Sequence, residues 1–149
     1  MFNVLSGLQE GSRSVVVVSR ASNGATFAKG DVVITSGGKL NAAAANNAMF
    51  CEFVFEDLTG NSSGKYTTIY GSFEAECDNI DDVGNGAGSG AIVADDPLSV
   101  YNGKMCKANT ADLAAPVSNV WGKCLSVSTV VDLTKGGAGT KTITFRTRN

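Results

Sequence analysis

A β-hairpin segment that occurs twice constrains this chain most. The first copy spans residues 30–56 and the second spans 95–127. Both contain a turn between short apolar runs: Gly37-Gly38, which can adopt the positive φ of tight hairpin turns, in the first, and Asn102-Gly103, the strongest local signal for a hairpin, in the second. Both continue with an Ala/Asn-rich connector and an aromatic-containing strand. Five residues match at a spacing of 65 positions: Asp31, Val33, Gly38, Lys39 and Leu40 against Asp96, Leu98, Gly103, Lys104 and Met105. Any two hairpins share some of these features, and we interpret the segments as two related modules.

Composition indicates one all-β domain. The 149 residues include 18 glycines and only two prolines. β-branched residues are plentiful, and Gly or Asn interrupts them every 8–12 positions or so, as in sandwiches and barrels. We predict an all-β fold, either a small β-barrel or a β-sandwich, with the two related hairpin modules and long loops. We expect residues 1–13 to form an N-terminal arm and residues 14–149 to form a single domain.

Alternation of apolar and polar residues predicts the strands. In 66–77 it places Ile69, Phe73 and Ala75 inward and Thr68, Tyr70, Ser72, Glu74 and Glu76 on a polar outer face. Gly71 is predicted at a bulge or a close approach of backbones. In 141–148 it places Ile143 and Phe145 inward and Thr142, Thr144 and Arg146 outward. A single helical turn is predicted after Thr110, with that residue as the cap. Strands are predicted near 14–20, 31–35, 49–55, 66–77, 97–101, 120–131 and 141–148.

The sequence offers no convincing catalytic constellation. It contains no histidine, the commonest general base and metal ligand. The alternating glycines from Gly84 to Gly90 lack the strand and helix that a nucleotide loop needs. Acidic residues 78–82 do not fit a calcium loop. Glu74 and Glu76 share a strand face, but many acidic strands provide that spacing. We predict no enzyme activity, no cofactor and no metal site.

Four cysteines, Cys51, Cys77, Cys106 and Cys124, form no C-x-x-C pair. We expect them to be reduced and mostly buried, in a protein made in a cytoplasm. A net charge of −2 disfavours a general nucleic-acid surface, and no apolar run reaches the length of a membrane span. The basic C-terminal segment is either a solvated strand or an edge that docks on an acidic partner. Trp121 is interpreted as core, with a surface aromatic as the alternative.

The two modules resemble a family. The stretches GDVV…SGGKLNAAAANNAMF and DDPLSVYNGKMCKANTA…VWGKCLSV are similar to the head decoration, or capsid cement, proteins of tailed bacteriophages. The matched regions are about 30–56 and 95–148. The four cysteines and the long 57–94 segment depart from the family pattern.

The resemblance implies a non-enzymatic virion protein, made in the host cytoplasm, that binds the major capsid protein on the outside of the shell. It also implies a homo-oligomer, with a trimer favoured, and neither nucleic-acid nor membrane binding. For contacts with the capsid or another partner, we predict residues of the arm and of the last strand: Phe2, Asn3, Arg13, Arg146 and Arg148. The alternative is a β-sandwich module of a virion fibre that recognises glycan or a host surface, with Trp121 or Tyr70 exposed in a groove. A third class is a small β-barrel enzyme that depends on Glu74.

Overall fold

A computed structural model describes most of the chain: residues 1–6, 15–44, 51–59, 63–82, 90–114, 120–131, 133 and 139–147. Within these residues the secondary structure is almost entirely β. The strands are β1 (Phe2–Ser6), β2 (Val15–Ala21), β3 (Val32–Ser36), β4 (Lys39–Ala42), β5 (Glu52–Glu56), β6 (Lys65–Gly71), β7 (Glu74–Cys77), β8 (Ile80–Asp81), β9 (Pro97–Tyr101), β10 (Lys104–Lys107), β11 (Gly122–Val131) and β12 (Gly139–Thr147). The described helix is α1 (Thr110–Ala114).

The strands form two sheets that pack face to face. One sheet has seven strands in the order β1-β7-β12-β11-β9-β10-β8, and the other has five in the order β2-β6-β5-β3-β4. The prediction of an all-β fold is therefore confirmed. In the described part of the chain both sheets are open, so the fold is a sandwich rather than a closed barrel.

An aromatic cluster fills the space between the sheets. The ring of Phe53 stacks on Phe2 and on Trp121, with ring centroids 4.8 Å and 4.5 Å apart. Phe145 lies 5.2 Å from the same ring, and Phe73 lies 5.7 Å away. Trp121 is only 3% exposed. The core interpretation of Trp121 is confirmed, and the alternative of a surface aromatic is wrong.

The two predicted hairpins have the same register. Ser36 pairs with Lys39 in the first hairpin, and Tyr101 pairs with Lys104, each 65 residues further on, in the second. The remaining three pairs of each ladder correspond at the same spacing. Both turn residues have positive φ in both hairpins, as type I′ turns require. These residues are Gly37, Gly38, Asn102 and Gly103, with φ of 59°, 75°, 49° and 77°.

The equivalence extends through the next two strands. β5 pairs with β3 and β6, and β11 pairs with β9 and β12 in matching registers. Each of these pairings is irregular at one place, between Val54 and Glu56 and between Cys124 and Ser126. These positions are 70 residues apart, so the extra residue of the bulge lies at the equivalent position of β5 and of β11. We call β3–β6 the first unit and β9–β12 the second unit.

The turn that precedes the first strand of each unit has the same hydrogen bond and backbone conformation in both units. The Asp31 carboxylate accepts a hydrogen bond from Ala28 N at 2.8 Å, and the Asp96 carboxylate accepts one from Val93 N at 2.9 Å. Such side chain-to-backbone bonds stabilise tight turns. The residue before each aspartate has positive φ, 92° at Gly30 and 72° at Asp95. The shared aspartate in the sequence is therefore a turn-forming residue.

Equivalent faces of the two units point in the same direction, so the two units do not pack with equivalent faces against each other. A small cluster on one face of the first unit comprises Phe27, Val33, Leu40, Val54 and Tyr66. Their equivalents all lie in the main core and are Ile92, Leu98, Met105, Cys124 and Ile143. The opposite face of the first unit, with Val32, Phe53 and Ile69, packs into that same main core. The corresponding face of the second unit is left on the outside of the sandwich.

The predicted strand 66–77 is two strands in different sheets. β6 ends at Gly71, whose φ of 118° bends the chain, and β7 starts at Glu74. Period-two alternation continues across the bend because Ile69, Phe73 and Ala75 all enter the main core. Thr68, predicted on a polar outer face, is buried because the small cluster covers that side of β6.

Three smaller predictions are also corrected. Thr142, predicted to face outward, is buried. Asn109, rather than Thr110, caps α1, because its side chain accepts a bond from Asp112 N while the Asp112 carboxylate accepts one from Asn109 N, both at 2.9 Å. Residues 2–6 of the predicted arm form β1, which pairs with β7. Residues 7–13 of that arm lie outside the described residues.

Candidate functional site

The outer face of the second unit contains an apolar hollow. Its volume is about 350 Å³. Pro97 and Leu125 contribute apolar surface, and Lys123 and Arg146 stand above it as exposed basic side chains. The complete lining consists of Asp95, Pro97, Val120, Gly122, Lys123, Leu125, Arg146 and Thr147. An apolar hollow with charged groups around it has the composition of a protein-binding surface.

The two basic residues of the hollow lie directly opposite each other on β11 and β12. Like charges in this arrangement repel. Each is therefore balanced by a carboxylate: Lys123 Nζ lies 2.7 Å from Asp95 Oδ1, and Arg146 Nε donates to Glu74 Oε1 at 2.9 Å. These pairs are substantially exposed, so each contributes at most about 1 kcal/mol. A partner can exchange them for its own charges at little cost.

This face is equivalent to the packed face of the first unit. Phe53 in the core of the first unit corresponds to Lys123 in the second, at a spacing of 70 residues. The cross-strand pair Phe53–Ile69 corresponds to Lys123–Arg146. A face that is covered by aromatic rings in one unit is thus charged and open in the other. The sequence analysis missed Lys123, Leu125 and Pro97 as site residues. Extending the module alignment into β11 would have shown a lysine at a core position.

The structure places the predicted contact residues in different environments. Phe2 is fully buried and stacks on Phe53, so its side chain is unavailable to a partner in this fold, and that prediction is corrected. Asn3 is exposed on β1. Arg146 lines the hollow. Arg13 and Arg148 lie outside the described residues. The fold does not bring Phe2 and Arg146 to a common surface, since one is in the core and the other faces out.

The basic last strand is not the docking edge that the sequence suggests, and this prediction is also corrected. β12 is not an unpaired terminal strand, because β11 pairs along its whole length and β7 pairs with 143–146. A different open edge is present. β9 pairs with β11 only at Gly122 and Lys123, whereas β11 continues to Val131. Residues 126–131 therefore have β12 on one side and no described strand on the other, and all six are exposed. From Ser128 on they form a two-stranded ribbon with residues 139–142 of β12, because β7 pairs with β12 only at 143–146.

The cysteines and acidic residues have structural surroundings. All four cysteines are present as thiols and are buried. Burial, with a smaller effect of neighbouring Glu52, raises the pKa of the Cys51 thiol to about 12, and burial likewise raises that of Cys106 to about 12. A thiol with such a pKa is protonated and unreactive at neutral pH. Within the described ranges, no group of three potential metal-ligating side chains comes together.

Acids of the 78–82 segment have partners within the chain. Asp78 pairs with the N-terminal ammonium at 2.6 Å. Asp82 pairs with Lys141 Nζ at 2.5 Å and accepts a hydrogen bond from Ile92 N at 2.7 Å. Glu74, the acid of the enzyme alternative, is engaged by Arg146. These side chains hold the sandwich edges and the segment before the second unit in place.

Comparisons with protein-family models, with curated proteins and with solved structures found no match to this chain. Over the described residues, no helix has both the length and the apolar character needed to cross a membrane.

Proposed function

We propose that this protein is a structural component of a bacteriophage virion. It binds the outside of the capsid through the major capsid protein and stabilises the shell as a homo-oligomer, without catalysis. The proposal rests first on the resemblance of the two hairpin modules to head decoration proteins. The observation that supports it most directly is the open outer face of the second unit, with its apolar hollow and basic rim.

The architecture is consistent with a binding role for this face. The equivalent face of the first unit is covered by Phe2, Phe73 and residues of the second unit. The second unit has no such cover among the described residues, and Leu125 and Pro97 remain partly exposed. Arg146, a contact residue that we predicted from the sequence, lies on this face. A capsid segment that presents an apolar side chain and a carboxylate would complement it.

A protein can stabilise a shell by binding alone, without catalysing a reaction. A ligand that binds the assembled shell and not its separated subunits stabilises the assembled state by mass action. Many copies on a repeating lattice each add a modest contact, and contacts that bridge neighbouring subunits reinforce one another by multivalency. The protein then raises the temperature or internal pressure at which the shell fails.

Co-sedimentation with mature phage heads lacking their decoration tests this proposal. We expect the purified full chain to pellet with these heads, to saturate at a fixed number of copies per head and to raise their disruption temperature. Failure to bind such heads, or binding with no change in that temperature, overturns the capsid proposal and favours the fibre-module alternative.

Variants identify the face that binds. Leu125→Asp and Lys123→Glu are expected to weaken head binding by roughly tenfold or more, because they put acidic groups on the apolar and basic contact. Lys39→Glu makes the same charge change on an exposed strand position of the first unit and is expected to bind normally. Equal binding by all three variants would place the contact elsewhere. Thermal unfolding of each variant controls for misfolding.

A further inference from the structure

The ribbon formed by β11 and β12 has an open and unprotected backbone edge. Residues 126–131 of β11 pair with β12 on one side and with no described strand on the other. The sequence there is SVSTVV, with no charge and no proline. Exposed strands of this composition pair readily with another chain, and natural proteins normally block them with charges, prolines or bulges. An unblocked edge is therefore expected to be covered in the working protein.

The terminal strands of the two sheets are better protected than this edge. β8 is only two residues long. β4 has an exposed lysine, Lys39. β1 has a register irregularity between Val4 and Ser6, next to the charged N-terminus that pairs with Asp78. β2 includes Arg20.

The open edge is complementary to a second copy of itself. Alternate residues of a strand share a face, so Val127, Thr129 and Val131 lie on one side of the ribbon. In a two-fold antiparallel pair centred on Thr129, Val127 of each copy lies opposite Val131 of the other, and the two Thr129 residues face each other. Side chains that face each other this way are the stabilising pairs of a sheet. Val131 is 57% exposed in the single chain, and the neighbouring Leu133 is 84% exposed.

We propose that a second copy of this chain pairs along residues 126–131, antiparallel and two-fold symmetric about Thr129. The contact is isologous, because the same segment is used by both partners. It joins the two seven-stranded sheets into one continuous sheet and covers Val127 and Val131. The two-fold contact differs from the three-fold arrangement that the family resemblance implies. It does not depend on binding to a capsid, so it can be tested on the protein alone.

A single engineered cysteine tests the register. In Thr129→Cys the two new thiols would face each other across the two-fold axis, with Cβ atoms about 4.5–5.5 Å apart, close enough for a disulfide after a small adjustment. Mild oxidation is expected to give a covalent dimer on a non-reducing gel. Ser128→Cys is the matched control, because the two copies of that residue sit diagonally, about 7–8 Å apart, and should not cross-link. The native thiols do not interfere, because all four are buried.

Sedimentation of the full chain tests whether the edge drives association. We expect a dimer for the wild type and a monomer for Thr129→Lys, which places two ammonium groups opposite each other. Thr140→Lys carries the same substitution at an exposed position on the other strand of the ribbon, and it should remain a dimer. A monomeric wild type, or an oligomer in which the Thr129→Cys variant does not cross-link, overturns the proposal.

Discussion

At the scale of single residues, Glu52 is the buried carboxylate whose stability depends on specific hydrogen-bond and ion-pair partners. Its side chain is buried, at 5% exposure, on the face of the first unit that carries the small cluster, where an unpaired carboxylate is costly. Thr35 Oγ1 donates to it at 2.8 Å, Thr68 Oγ1 lies 3.5 Å away, and Arg20 supplies the compensating charge at 3.3 Å. The equivalent position in the second unit is Gly122, so this network belongs to the first unit alone.

Removing the guanidinium partner of Glu52 should therefore be costly. We expect Arg20→Ala to lower the free energy of unfolding by about 2–4 kcal/mol, since it leaves a buried carboxylate with only hydroxyl partners. Arg146→Ala is the matched control, because its pair with Glu74 is largely exposed, and a change below about 1 kcal/mol is expected. Urea denaturation of both variants gives the comparison. If both variants lowered the free energy of unfolding equally, burial of Glu52 would not be the reason that its ion pair stabilises the fold.

Gly30 and Asp95 occupy equivalent turn positions in the two units, so their substitutions can be compared for their effect on stability. Gly30→Ala should destabilise by about 1–3 kcal/mol, because φ is 92° and a new Cβ would lie 3.2 Å from the Cβ of Phe2. Asp95 has the same backbone conformation without being glycine, so Asp95→Gly should be neutral or should stabilise by up to about 1 kcal/mol, with the loss of an exposed ion pair to Lys123 partly offsetting the gain. Thermal unfolding measures both. A destabilised Asp95→Gly together with an unaffected Gly30→Ala would contradict the expectation.

At the scale of elements, the first strand is integral to the sandwich. β1 pairs with β7, and Phe2 stacks on Phe53 in the main core. Deletion of the predicted arm would therefore remove an edge strand and a core aromatic rather than a loose segment.

Substituting one residue of β1 measures this contribution. We expect Phe2→Ala to lower the free energy of unfolding by about 3–5 kcal/mol through lost burial and the cavity left behind. Asn3→Ala changes the next residue, which is exposed, and should cost below about 0.5 kcal/mol. Guanidinium denaturation of the two variants tests the difference. A small effect of Phe2→Ala would indicate that β1 contributes little to the fold.

Sequence patterns predict most elements but not their assignment to sheets. The predicted strand at 97–101 matches β9, and the Asn-Gly and Gly-Gly turns are identified correctly. The change of sheet at Gly71 is missed, because alternation carries no information about which sheet a strand joins. Phe2 is misassigned for a similar reason: a terminal aromatic looks the same in sequence whether it is core or contact. Arg146 is predicted as a contact residue, but its neighbours Lys123 and Leu125 come together only through long-range pairing of β11 with β12.

At the scale of the whole molecule, the buried thiols link stability to pH. Burial raises the pKa of Cys77 to about 11 and that of Cys51 to about 12, from an ordinary value of 9.0. A thiol with a raised folded-state pKa stabilises the fold fully below its unfolded pKa. That contribution is lost as pH rises from about 9 toward the folded value, because the unfolded state releases protons first.

Alkaline denaturation should reveal this linkage. Between about pH 9 and 11, each such thiol should lower the free energy of unfolding by about 1.4 kcal/mol per pH unit. Cys106→Ala removes one of these thiols, so its decline with pH should be shallower than that of the wild type by about this amount. Urea titrations at a series of pH values measure both slopes. Identical slopes would show that Cys106 does not titrate differently in the folded and unfolded states.

Because the two units stack in the same orientation, the first unit exposes an apolar face while the second is still being synthesised. When the first unit is complete, its aromatic face, with Phe53, still lacks the cover that Phe73 and the second unit provide, because those residues have not been made. At about 5–20 residues per second, the roughly 50 residues from β9 through β12 take several seconds to synthesise. During that interval a nascent chain exposes the surface that later becomes its core. Its yield in cells should therefore depend on protection by chaperones and on translation speed across the second half.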